Sequence, residues 1–232
     1  SQGARRGSKE SRGRLGPRAS SARDMYVAAR LKRPRIPHVQ QSYNWDCGFA
    51  CLEMVLRALG VPPRECSLRT LRARVPSSSI WTVDLVYLLK DYGVKFRFLT
   101  TTLGVNPDYK HEAFYRATLD ADSLRVSELF SSAASNDIPI ERRSITDAEL
   151  CDLMRPHDRL IMALVDRRHL YRPAPHSVSG FVESCFSHCF SGGGYVGHYV
   201  LITGFDESRD GCVARLPCPP STTPLASALA PP

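Results

Sequence analysis

The sequence of 232 residues has no apolar run approaching the roughly 20 residues that a membrane-spanning helix needs, so no membrane span is expected. It shows no apolar core of a secretory signal. That absence argues against a disulfide framework for its eight cysteines and favours reduced thiols in the cytoplasm. Cys-x-x-Cys pairs are absent. Cys185-Phe186-Ser187-His188-Cys189 is the only metal-like cluster, with three ligands where zinc needs a fourth, and it reads as a loop with thiols. Gly192-Gly193-Gly194 has no lysine after it, so a phosphate loop of the Gly-x-x-x-x-Gly-Lys type is also missing.

Acidic residues are scarce in one stretch. Residues 1–35 hold eleven Lys/Arg against Glu10 and Asp24, whereas the remaining chain holds 20 basic and 21 acidic residues. The net charge of +8 therefore belongs to an arm that is expected to be disordered. The near-neutral body is not that of a nucleic-acid-binding domain. The Ser, Gly and Arg composition of the arm also suits an organellar transit segment, although it has Glu10 and no amphipathic period.

What is present reads as α+β. Ala50, Cys51, Met54, Val55, Ala58 and Leu59 recur at helical spacing and stop at Gly60. Further helices are expected over 64–75, from Ser79 or Thr82 to Tyr92, over 111–118 and over 123–135. Thr146-Asp147-Ala148-Glu149 forms a capping box that opens a helix to Met154. Strands are expected over 94–100, over 138–143, over 160–165 (buried on both faces) and over 198–205, the strongest. Helices before strands, without regular alternation, argue for α+β. Six prolines from Pro217 onward predict a disordered tail. The expected organisation is a basic arm at 1–35, a folded domain at 36–213 and a Pro-rich tail at 214–232.

Chemistry concentrates at Gln41-Ser42-Tyr43-Asn44-Trp45-Asp46-Cys47-Gly48. A cysteine opening a helix faces unpaired N–H groups and the positive dipole end, and both favour the thiolate. Gln41 and the Cys47 N–H can form an oxyanion hole. His198, which follows Gly197 and opens a buried strand, is the expected base. The bland reading is a buried thiol beside an N-cap aspartate and a core histidine on a strand edge.

These residues carry a resemblance. Gln41–Leu59 and His198–Gly204 are similar to the nucleophile segment and histidine strand of the bacteriocin-processing cysteine peptidases of ABC transporters. Trp45-Asp46-Cys47-Gly48, Ser79-Ile80-Trp81-Thr82-Val83-Asp84-Leu85, Thr102-Leu103-Gly104-Val105, Ala113-Phe114-Tyr115 and Gly197-His198-Tyr199 more closely resemble the plant and animal guanylyl cyclase domain-containing family. The segment Thr102–Pro107 looks plant-like. The resemblance implies a papain-like fold, with N-terminal helices packed on a C-terminal antiparallel sheet. It implies a lyase that converts GTP to cyclic GMP with Mg²⁺ or Mn²⁺.

The residues themselves argue instead for thiol hydrolysis of a peptide or thioester, which needs no cofactor. A non-catalytic interaction module is the third possibility. Metal-dependent cyclisation wants paired carboxylates, and Asp46, Asp84 and Asp166 are scattered in sequence. The resemblance also implies a strand after the histidine strand that ends in Asp-Pro or Asn-Pro and supplies a third catalytic residue. Here Cys212-Val213 leads to Ala214-Arg215-Leu216-Pro217. A truncated isoform with an incomplete sheet and an exposed edge is therefore expected.

Overall fold

The computed structural model describes residues 36–75, 77, 79–106, 109–110, 118–156, 158–167, 197–206, 208 and 211–217. The readings placed on the basic arm, residues 111–117, Cys185, His188 and Cys189, the glycine loop and the chain from 218 lie outside these.

Helix α1 (Cys47–Ala58) is the organising element. Every residue from Cys47 to Leu56 is buried, including Glu53, whose carboxylate accepts from the Leu68 N–H at 2.7 Å. It ends at Gly60, whose φ of +89° is open to glycine at little cost. The helix expected over 64–75 is two short ones, α2 (Pro63–Cys66) and α3 (Leu68–Arg72). Ser67 divides them because its extended backbone breaks the first, and its hydroxyl accepts from Thr70 N–H to cap the second. Helix α4 (Thr82–Asp91) starts where expected but is held differently: the Asp84 carboxylate accepts from the Trp81 N–H at 2.8 Å. Its Leu85 and Leu88 join the α1 core, while Val83 and Val86 join a second core with Phe98, Val126 and Ile138.

Strands β1 (Phe98–Thr100) and β2 (Ile140–Arg142) pair in parallel around α5 (Leu119–Ser132). Parallel pairing requires such a crossover. Both strands are shorter than their apolar pattern suggests. Helix α6 (Asp147–Met154) begins at the expected cap, with Thr146 accepting from the Glu149 N–H.

Three antiparallel strands follow: β3 (Ile161–Asp166), β4 (Gly197–Asp206) and β5 (Gly211–Arg215), in the order β3-β4-β5. Among the described residues strand β3 pairs only with β4, and its Leu164 is 42% exposed, which corrects the expectation of a strand buried on both faces. A strand does follow the histidine strand. It runs on past Val213 to Arg215, with Leu216 buried beyond it. Strand β4 is accordingly central, and its two faces serve different cores. Tyr199 and Leu201 pack with α1, whereas Val200 and Ile202 pack with Leu150 and Met154 of α6. Among the described residues no helix is long and apolar enough to cross a membrane.

Candidate active site

A cleft of about 190 Å³ opens between the start of α1, the start of α4 and the first residues of β4. Cys47, the first residue of α1, lies on its wall and is only 5% exposed. Asn44 and Trp45 approach from the preceding loop, Ser79 to Thr82 from the approach to α4, and Gly197 and Tyr199 from β4.

The loop ahead of Cys47 is shaped by Asp46, which is fully buried. Its carboxylate does not cap α1. It turns back to accept from the N–H groups of Ser42 (3.1 Å) and Tyr43 (2.9 Å). Arg72 reaches the same carboxylate at 3.4 Å and lies 4.9 Å over the Tyr43 ring. Tyr43 stacks on Trp45, which meets Phe49 edge-on. Buried charge, guanidinium and rings thus fix the loop that delivers Trp45 to the cleft.

The opposite wall is also tied by charge. Arg125 of α5 forms ion pairs with both Asp84 and Asp122. Ser79 donates to Asp122, and Ser77 lies 3.5 Å from it. The carboxylates are buried. Burial pushes the Asp84 carboxyl up, against the opposing pull of Arg125. The floor closes where the Tyr199 and Thr82 hydroxyls meet at 2.8 Å. A side chain at Gly48 would collide there, its Cβ falling 2.9 Å from Leu85 Cδ1 and 3.1 Å from Tyr199 Cδ2. Glycine is required by this approach of helix to sheet.

The three residues singled out by sequence stand differently toward this cleft. Cys47 lines it, whereas Gln41 and His198 are not among its lining residues. The Gln41 amide donates to Tyr43 O at 2.8 Å. Successive side chains of a strand point to opposite faces. Tyr199 faces α1, so His198 shares the other face with Val200 and Ile202, opposite Val165. Burial, reinforced by Arg167, pushes its imidazole down to about 4. The residues that sequence reasoning missed are Tyr199, Thr82, Asp122 and Arg125. The i, i+3 spacing of Asp122 and Arg125 was the one local signal; the rest depends on long-range packing.

Comparison with known proteins locates this architecture. A family model described as guanylylate cyclase matches residues 36–227. The chain belongs to the guanylyl cyclase family. It is 41% identical over 177 residues to a protein named Guanylyl cyclase 1 from Arabidopsis thaliana, covering 75% of this chain and 61% of that protein. The chain thus spans about three fifths of that relative's length. No solved structure matches it.

Family membership raises the question of a catalytic metal. Among the described residues no group of three His, Cys, Asp or Glu side chains is placed to hold one. The described lining of the cleft carries no carboxylate. The adjacent pair, Asp84 and Asp122, is already engaged by the Arg125 guanidinium. These residues do not fit the paired-carboxylate metal site of a nucleotide cyclase.

Proposed function

We propose that this guanylyl cyclase-family protein binds a guanine nucleotide in the cleft and converts GTP to cyclic GMP. The lining of the cleft carries this reading. Trp81 and Tyr109 have ring centroids 6.0 Å apart, and they and Trp45 offer faces for a planar base. Asn44 and Asn106 offer amide donors and acceptors for the base edge. Ser79, Thr82 and the run Thr100–Thr102 offer hydroxyls for ribose and phosphate oxygens. In the reaction the ribose 3′-hydroxyl gives up its proton to solvent, its oxygen attacks the α-phosphorus, and the bond to pyrophosphate breaks. The described residues orient the nucleotide in this reading.

The chain has two tryptophans, Trp45 and Trp81, and both line the cleft. Tryptophan emission, excited beyond the tyrosine band, therefore reports on this site. GTP should alter it saturably, and cyclic GMP should form with added Mg²⁺ or Mn²⁺. Trp81→Ala should weaken both responses. No fluorescence response and no cyclic GMP would sink the reading.

One observation favours a second reading, thiol hydrolysis of an amide or thioester. Cys47 opens α1, where the helix dipole favours a thiolate, and its residue borders the cleft. The helix-against-sheet arrangement that presents it is also the basis for reading the fold as papain-like. A base is the difficulty, because His198 faces the α6 core. Iodoacetamide labelling of Cys47 across pH discriminates. An apparent pKa well under the free value of about 8.5 supports this reading, and one at that value removes it. Cyclic GMP formation that survives Cys47→Ala would leave the cyclase reading standing.

A further inference from the structure

The face of β4 turned away from the cleft holds a pair of thiols. Cys151 lies on α6 and Cys212 on β5, and α6 packs against that strand. Cys212 is buried in the α6 core, and Cys151 is half-buried at the margin of the same cluster. Both thiols belong to the one apolar cluster where α6 meets β5, and both are reduced. The cysteines of the α1 core, Cys47, Cys51 and Cys66, form a separate group.

We propose that Cys151 and Cys212 are a redox-sensitive pair that peroxide converts to a disulfide, clipping α6 to strand β5. Cys151 is the more accessible sulfur and reacts first. Its thiolate takes one oxygen from hydrogen peroxide to give a sulfenic acid, and the other oxygen leaves as water. The Cys212 sulfur then attacks the Cys151 sulfur, forming the S–S bond and expelling the sulfenic oxygen as a second water. Two thiols lose two electrons and two protons to one peroxide. Burial and the neighbouring Cys151 thiol push Cys212 up to about 11, so Cys212 is not the thiol that peroxide attacks first.

The clip would extend to the cleft side of the molecule. Strand β5 runs directly into Leu216 and Pro217, whose carbonyl oxygens accept from His38 Nε2 at 3.0 Å and from the Gln41 N–H at 2.7 Å. Fixing β5 to α6 would fix the strap that holds the segment leading to Cys47.

The test uses the full chain, reduced and then treated with hydrogen peroxide, with peptide mapping by mass spectrometry under non-reducing conditions. The expected product is a 151–212 cross-linked peptide lighter by two hydrogens and restored by dithiothreitol. The thermal midpoint should rise on oxidation, and the rise should be absent in Cys151→Ser, a half-buried position that tolerates the change. Cys212→Ala serves as the second variant. Cross-links that join Cys151 or Cys212 mainly to Cys185, Cys189 or Cys218 would overturn the proposal. So would oxidation of both residues beyond sulfenic acid without a link, or an equal midpoint rise in Cys151→Ser.

Discussion

The two faces of β4 are built from one run of residues and differ in kind. Toward α1, Tyr199 closes the floor of a cleft through a hydroxyl contact with Thr82, and buried ions tie the walls. Toward α6, Val200 and Ile202 fill an apolar core that also holds His198 and the Cys151–Cys212 pair. The difference rests on a parity. In Gly197-His198-Tyr199, adjacent side chains must diverge, so one of the two polar rings meets Cys47's side and the other is buried among aliphatics. Helix α1 selects the tyrosine: the bare Gly48 leaves room for that ring and for nothing more.

The comparison is most severely broken by removing the charge that holds the cleft side together. Arg125→Met leaves Asp84 and Asp122 buried without their partner, so the loss should be about 3–5 kcal/mol in urea unfolding. Adding Asp84→Asn and Asp122→Asn should recover much of it. If the single variant costs no more than an exposed ion pair does, the network is peripheral.

The next effect belongs to the α6 face and depends on pH. The unfolded His198 imidazole takes a proton near 6.5, whereas the folded one resists until about 4. Between these values the unfolded state binds more protons, so stability rises with pH, and acidification from 6.5 toward 4 destabilises the fold. At roughly 1.4 kcal/mol per pKa unit the total approaches about 3 kcal/mol. His198→Gln should flatten this part of the stability–pH curve. An unchanged slope would mean that the imidazole titrates freely, as a cleft-facing base would.

This parity was the least legible part of the sequence. The period of Ala50, Cys51, Met54 and Val55 and the stop at Gly60 were enough to find α1, and the run after Gly197 was enough to find β4. Both are local signals. Alternation alone says that residues 198 and 199 point apart, but not which one meets α1. That is decided by packing against Gly48 and Leu85, far away in sequence. The same holds for Arg125, which meets Asp84 from 41 residues away and ties it to Asp122. Strand β3 misled because its apolar run resembles a central strand, yet only one neighbour pairs with it among the described residues. The expectation of a lost strand followed from the departure in sequence after Val213. Backbone pairing is indifferent to that departure, and β5 continues to Arg215.

Gly48→Ala tests the selection of the tyrosine. The added methyl meets a flexible Leu85 terminus and a rigid Tyr199 ring, so overpacking should cost about 1–3 kcal/mol. Alanine is the better helix former, and a neutral or stabilising result would show that helix and sheet can separate without penalty.

The smallest and most discriminating change is Tyr199→Phe. It keeps the ring that fills the space beside Gly48 and removes only the hydroxyl that meets Thr82 at 2.8 Å. Losing one hydrogen bond of this kind should cost about 0.5–1.5 kcal/mol. Thr82→Val removes the other partner. If the contact is direct, the double variant should cost less than the two single changes added together, with a coupling of about 0.5–1 kcal/mol. Additive losses would mean that the two hydroxyls act separately. The cleft floor would then be held by ring packing alone, and the polar character that separates this face of β4 from the other would begin only at its walls.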